Sequence, residues 1–130
     1  VPDYIKCLGF ISKQTTAGKE KLASLLNDSH FLFLPSRADA CPMVFAEANA
    51  HGLPALTSYV GGIASAVRDN VNGMTFALDA PLNVHCDYIV NTVHDRARYE
   101  ALEMSAQNEY ASRLNWETAT GEVKRLITQL

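Results

Sequence analysis

Two short apolar runs, residues 31–34 (Phe-Leu-Phe-Leu) and residues 55–59 (Ala-Leu-Thr-Ser-Tyr), bracket a helix-like segment. That spacing restricts the fold more than any other feature of the chain. An unbroken apolar run closed by Pro35 reads as a strand buried on both faces, so 31–34 is expected to be a central strand of a parallel sheet. Residues 43–51 have helical character and stop at Gly52, a residue common just past a helix end. A short helix is expected over 63–68. A third extended run, 74–78, then follows the turn signal Asn72-Gly73. Strands alternating with helices imply right-handed crossovers and an α/β fold, a parallel sheet with flanking helices. Ligands of such sheets bind beyond the C-terminal strand ends, which is where residues 36–42 and 60–62 fall.

The flanking segments extend the pattern. Residues 5–10 are apolar-rich and read as a further buried strand, 12–18 as a polar loop, and 19–27 as a helix with Leu22, Leu25 and Leu26 on one face. From Leu82 onward the periodicity is helical. Val84, Tyr88, Ile89 and Val93 share a face, then Tyr99, Leu102 and Ala106. Val123, Leu126, Ile127 and Leu130 form the stripe of a last helix opening near Asn115, with Trp116 expected to pack between the last two helices.

At 130 residues and 48% hydrophobic content the chain suits one domain with a real core. A net charge of −3 argues against nucleic-acid or general anionic-membrane binding. Cys7, Cys41 and Cys86 lack metal-ligand spacing and are odd in number, which points to a reducing cytoplasm. The four histidines show no ligand spacing either and read as structural or surface residues. No run is long and apolar enough to span a bilayer, and no signal peptide is visible. The start at Val1-Pro2-Asp3 reads as a piece of something longer.

The chemistry concentrates between Pro35 and Gly73. Asp39 lies in a loop, Pro42 at an expected helix start, and Glu47 inside that helix among small and apolar neighbours. A helix N-terminus offers unpaired N–H groups to phosphate, and carboxylates accept hydrogen bonds from hydroxyls. Blander roles stay open at this point: Asp39 as a helix cap, and Gly61-Gly62 as a tight turn. Cys41 has nothing beside it in sequence to activate a thiolate and reads as a packing residue.

The ordered set Pro35-Ser36, Asp39, seven residues, Glu47-Ala48, Gly52-Leu53-Pro54, Gly61-Gly62 and Asn72-Gly73 resembles the donor-binding segment of family 4 glycosyltransferases, retaining enzymes of the GT-B fold. Residues 5–11 and Leu114-Asn115-Trp116 extend the resemblance over nearly the whole chain. It implies that residues 1–130 are a single partial nucleotide-sugar-binding domain. This would be the C-terminal part of a Rossmann-like GT-B donor-binding domain, with C-terminal helices. The first two βα units, with the family's diphosphate-neutralising Arg and Lys, and the acceptor domain would be absent. Asp39 and Glu47 would be the catalytic carboxylates, on the sugar and the ribose respectively. Donor binding would fall to Gly9, Phe10 and Ile11 at the base edge. Ala40, Cys41, Pro42, Met43, Val44 and Phe45 would face the phosphates, and Gly61 and Gly62 would allow close approach of the donor. Asp39 stands where the family usually has Glu, and Ser65 where an acid is usual.

The resemblance implies a retaining glycosyltransferase. It would pass a sugar from a nucleotide-diphosphate sugar to a growing polysaccharide, oligosaccharide or lipid, with no cofactor and no metal. The acceptor would be met through the missing N-terminal domain, and the isolated chain should be inactive. The parent enzyme is expected in the cytoplasm, with peripheral association at the inner membrane face as a further expectation. Alternatives are a non-catalytic GT-B-like binding module and a sugar-nucleotide epimerase. A dinucleotide-binding dehydrogenase is disfavoured, because no G-x-G-x-x-G follows a strand.

Overall fold

Three short, mainly apolar runs form the sheet in the computed structural model, which describes residues 1–40 and 42–129. The strands are β1 (Leu32–Leu34), β2 (Ala55–Ser58) and β3 (Gly73–Phe76), parallel and in that order. β2 is buried along its whole length, as a strand covered on both faces should be. Register fixes the two faces. Leu32 pairs with Ala55 and Ala55 with Gly73, whereas Phe33 pairs with Leu56 and Leu56 with Met74. Leu32, Leu34 and Ala55 therefore point to one side. There they meet Phe45, Ile63, Ala66 and Val67 in the core. Phe33 and Phe76 point to the other side, where His85 packs on both, at ring-centroid distances of 5.8 and 4.2 Å.

Among the described residues six helices accompany the sheet: α1 (Thr16–Asn27), α2 (Val44–Ala50), α3 (Ile63–Ala66), α4 (Leu82–His94), α5 (Arg96–Ser112) and α6 (Trp116–Ile127). Local signals explain their ends. Thr15 caps α1 by accepting from the Gly18 N–H at 3.1 Å. At the end of α2, Gly52 takes φ +70°, its N–H donates to Asn49 O, and Leu53 N–H donates to Ala48 O. That is the left-handed stop glycine favours. Asp95 and Asn115 cap α5 and α6 through their side chains.

A buried polar cluster ties α2 to the sheet. Asn49 and Asn72 are both fully buried. The Asn72 amide donates to Asn49 Oδ1 at 2.6 Å and Ala66 O at 2.9 Å, and its Oδ1 accepts from the Arg68 N–H at 2.7 Å. Asn49 donates to Leu53 O at 3.0 Å. Gly73 next door is required for packing, because a Cβ there would collide with the Ala55 carbonyl of β2. Tyr99 of α5 holds the start of β1 by donating to His30 O at 2.9 Å. Burial, reinforced by Glu103, pushes its hydroxyl pKa up and keeps that donor protonated.

Several expectations need correction. Residues 5–10 are not a strand. They lie irregular on the surface, with Phe10 93% exposed, because no strand among the described residues lies beside them to complete a hydrogen-bond ladder. Residues 31–34 supply an edge strand rather than a central one, and Phe33 is 44% exposed. The expected loop 12–18 gives way to helix from Thr16, since the Thr15 cap starts α1 early. Val84 turns outward on α4, and Thr92 takes the fully buried place on that helix. Trp116 is not a packing anchor: it is 71% exposed, and Val123, Leu126 and Ile127 of α6 also face outward. Leu130 and Cys41 lie outside the described residues.

Candidate functional site

The loop after β1 carries Asp39 across to the turn that opens α3. Gly62 N–H donates to Asp39 O at 3.2 Å. A Cβ at Gly61 would run into the Asp39 carbonyl, and one at Gly62 into the Ala40 carbonyl. Gly61 also has φ +53°, a backbone that side chains rarely adopt. The glycine pair lets the loop of residues 39 and 40 pack closely over the C-terminal end of the sheet. Ser65 donates to Gly62 O at 2.6 Å and turns its hydroxyl back on the same turn.

α2 leaves that loop two residues after Pro42. Its helical residues run from Val44, with Met43 at the cap position and Pro42 before it. Phe45 and Ala48 are wholly buried, so Phe45 can serve a ligand only through its backbone, and its N–H already points to Pro42 O at 3.4 Å. Val44 packs against the core, while Met43 is half exposed.

The opposite face of α2 lines a cavity. Met43, Ala46, Glu47, Ala50 and His51 recur at helical spacing along one wall. Lys19, Leu22, Ala23 and Leu26 of α1 form the facing wall, and Leu114, Asn115 and Trp116 close the end. The cavity holds about 410 Å³. His51 Nδ1 and Asn27 Oδ1, 2.7 Å apart, join the C-terminal ends of the two helices. At the rim, Lys13 Nζ donates to both carboxylate oxygens of Glu47, at 2.6 Å each. Both side chains are partly open to solvent, 56% and 40% exposed. Lys13 also borders a second hollow formed by residues 10–14, which brings Phe10 and Ile11 to the neighbourhood of Glu47. Gly9, at φ +66°, turns the chain just before them.

The structure thus brings two groups together separately. Asp39, Ala40, Gly61 and Gly62 meet through backbone. Glu47 and Met43 face the cavity, and Lys13 links Glu47 to the 10–14 segment. Glu47 lines this cavity, and Asp39 is not among its lining residues.

Sequence reasoning missed Lys13 and the Asn49–Asn72 cluster. No motif signals Lys13, which meets Glu47 only through tertiary folding. Asn49 was discoverable, because it sits on the buried stripe of α2, four residues after Phe45. Among the described residues no helix is long and apolar enough to cross a membrane.

Comparison with known proteins gives one direction. An uncharacterized glycosyltransferase of Methanocaldococcus jannaschii is 24% identical over 111 residues, covering 85% of this chain and 31% of that protein. D-inositol 3-phosphate glycosyltransferase 1 of Catenulispora acidiphila is 32% identical over 107 residues, covering 82% of the chain and 24% of that protein. The crystal structure of Anabaena HepE in complex with UDP superimposes with a TM-score of 0.70 at 18% identity, over 82% of this chain and 29% of that one. That likeness bears out the α/β fold. The chain spans 24–31% of the length of these proteins. The family model for glycosyl transferases group 1 matches residues 1–87. With that match over most of its length, the chain belongs to the group 1 glycosyltransferases.

Proposed function

We infer that the chain is the donor-binding part of a retaining, family 4-type glycosyltransferase of the GT-B fold, using a nucleotide-diphosphate sugar. One observation carries this reading. Glu47 follows Asp39 with seven residues between them, on the cavity-facing stripe of the helix that follows the loop after β1. A carboxylate half open to solvent on such a stripe suits the ribose hydroxyls. The segment from Gly9 to Ile11 lies close by for the base. The phosphates then fall toward residues 40–45 and the Gly61-Gly62 turn, with Asp39 toward the sugar. The UDP bound to the Anabaena protein makes a uridine nucleotide the first donor to try.

The chemistry would be front-face transfer, with the leaving phosphate taking the acceptor proton. The protein supplies position and charge complementarity and no nucleophile, terms that lower barriers by several kcal/mol. No metal or cofactor is proposed. The acceptor, a saccharide or lipid, would be met by a domain outside these residues, in an enzyme working in the cytoplasm or at its membrane face. A panel of nucleotide sugars tested for thermal stabilisation of the full-length protein checks the reading. One base and sugar should raise the melting temperature above all others, and no response to any of them refutes it.

The 130 residues alone should neither transfer sugar nor bind a donor tightly. Helix ends contribute roughly 0.3–1 kcal/mol each at exposed positions. An exposed cation adds about 0–1 kcal/mol. Micromolar binding needs about 8 kcal/mol. Calorimetry of the isolated chain should give millimolar affinity at best, and a low-micromolar constant contradicts the assignment of the main phosphate ligands to missing units.

A non-catalytic binding module is the second reading. It is favoured by Ser65, whose hydroxyl is spent on Gly62 O at the position where the family usually has an acid. Transfer by the full-length protein with its best-bound donor separates the two.

A further inference from the structure

The pairing of Lys13 with Glu47 has a use if a diphosphate lies beside it. A bare carboxylate at a ribose would repel the phosphates attached to that ribose, since like charges a few ångströms apart raise each other's energy even in a partly aqueous setting. Lys13 removes that repulsion without occupying the place of the ligand. It holds both Glu47 oxygens in the free protein, and each carboxylate oxygen has lone pairs left for a hydroxyl donor. Its four-carbon stem lets the ammonium stay on the outer side as the ribose arrives. The pair is exposed, so loosening it costs little.

We propose that Lys13 is a positioning residue and counter-charge for Glu47, allowing that carboxylate to bind a ribose next to a dianionic diphosphate. The inference rests on the donor-site reading above. It assigns to the segment after Ile11 a specificity role: selection for phosphorylated nucleotides over nucleosides.

The test compares each nucleoside diphosphate with its parent nucleoside, UDP with uridine, GDP with guanosine and ADP with adenosine, on the full-length protein by ligand-observed NMR and calorimetry. For the pair that binds, Lys13→Ala should weaken the diphosphate about three- to tenfold, more at low salt than at high salt. The nucleoside should change by less than about twofold, and Lys13→Arg should restore the diphosphate. A merely structural role would weaken both ligands together and give no salt dependence. Glu47→Gln is measured alongside. If it leaves both ligands unchanged, or if no pair binds at all, the donor-site reading falls and the inference with it. If Glu47→Gln weakens binding while Lys13→Ala affects both ligands equally or neither, the role of Lys13 is overturned and the donor site stands.

Discussion

Asn72→Ala is expected to destabilise the fold by roughly 3–5 kcal/mol, the largest effect of any single truncation proposed for this chain. The asparagine is fully buried and serves three partners at once: Asn49 Oδ1, Ala66 O and the Arg68 N–H. Removing it leaves Asn49 Oδ1 and the Arg68 N–H without their partner, at about 1–3 kcal/mol each, partly offset if a water enters the space, while Ala66 O keeps the Arg113 guanidinium at 3.1 Å. The loss also reaches function, because the same cluster fixes α2 against β3 and hence the placement of Glu47. Urea unfolding should show a lowered midpoint, with amide exchange of β2 and β3 accelerated together. A shift of less than about 1 kcal/mol would mean that the cluster is dispensable.

Glu47→Gln in the full-length protein is expected to lower nucleotide affinity by roughly 1–3 kcal/mol, about 5- to 150-fold, the scale of a charge-assisted hydrogen bond exchanged for a neutral one. The substitution keeps shape and helix propensity, and Glu47 is not part of the core, so the melting temperature should hardly move. Its ion pair with Lys13 is exposed and contributes at most about 1 kcal/mol to stability. Loss of affinity with retained stability is therefore the signature of a ligand-facing carboxylate. Loss of both would mark Glu47 as a structural partner of Lys13, and loss of neither would remove it from the site.

Much of this was legible in the sequence, for identifiable reasons. The three strands and their parallel order followed from apolar runs separated by helical segments, and the stop of α2 at Gly52 followed from a residue able to take φ +70°. The spacing from Asp39 to Glu47 points to the proposed site, and Glu47 lies on the cavity-facing stripe of α2. What failed depended on neighbours. Residues 5–10 have strand composition, yet a strand exists only where another lies beside it to accept its hydrogen bonds. Trp116 and the stripe of α6 were read as core because apolar periodicity reports what could be buried, not whether a surface is there to bury it. Gly61-Gly62 is expected either as a tight turn or as a place of close approach to a ligand, and the carbonyls of residues 39 and 40 beside it account for the turn. Glycine in sequence announces a close approach without naming what approaches. Lys13 carried no local signal, since its meeting with Glu47 joins residues far apart in the chain.

The central claim is that a donor nucleotide lies against the open face of α2, and a crystal structure of the full-length protein with the nucleoside diphosphate that stabilises it most tests this directly. Ribose hydroxyls should lie within hydrogen-bond distance of the Glu47 carboxylate, the base beside residues 9–11, and the phosphates toward the loop held by Gly61 and Gly62. A nucleotide bound elsewhere, with Glu47 still held by Lys13 alone, would contradict it.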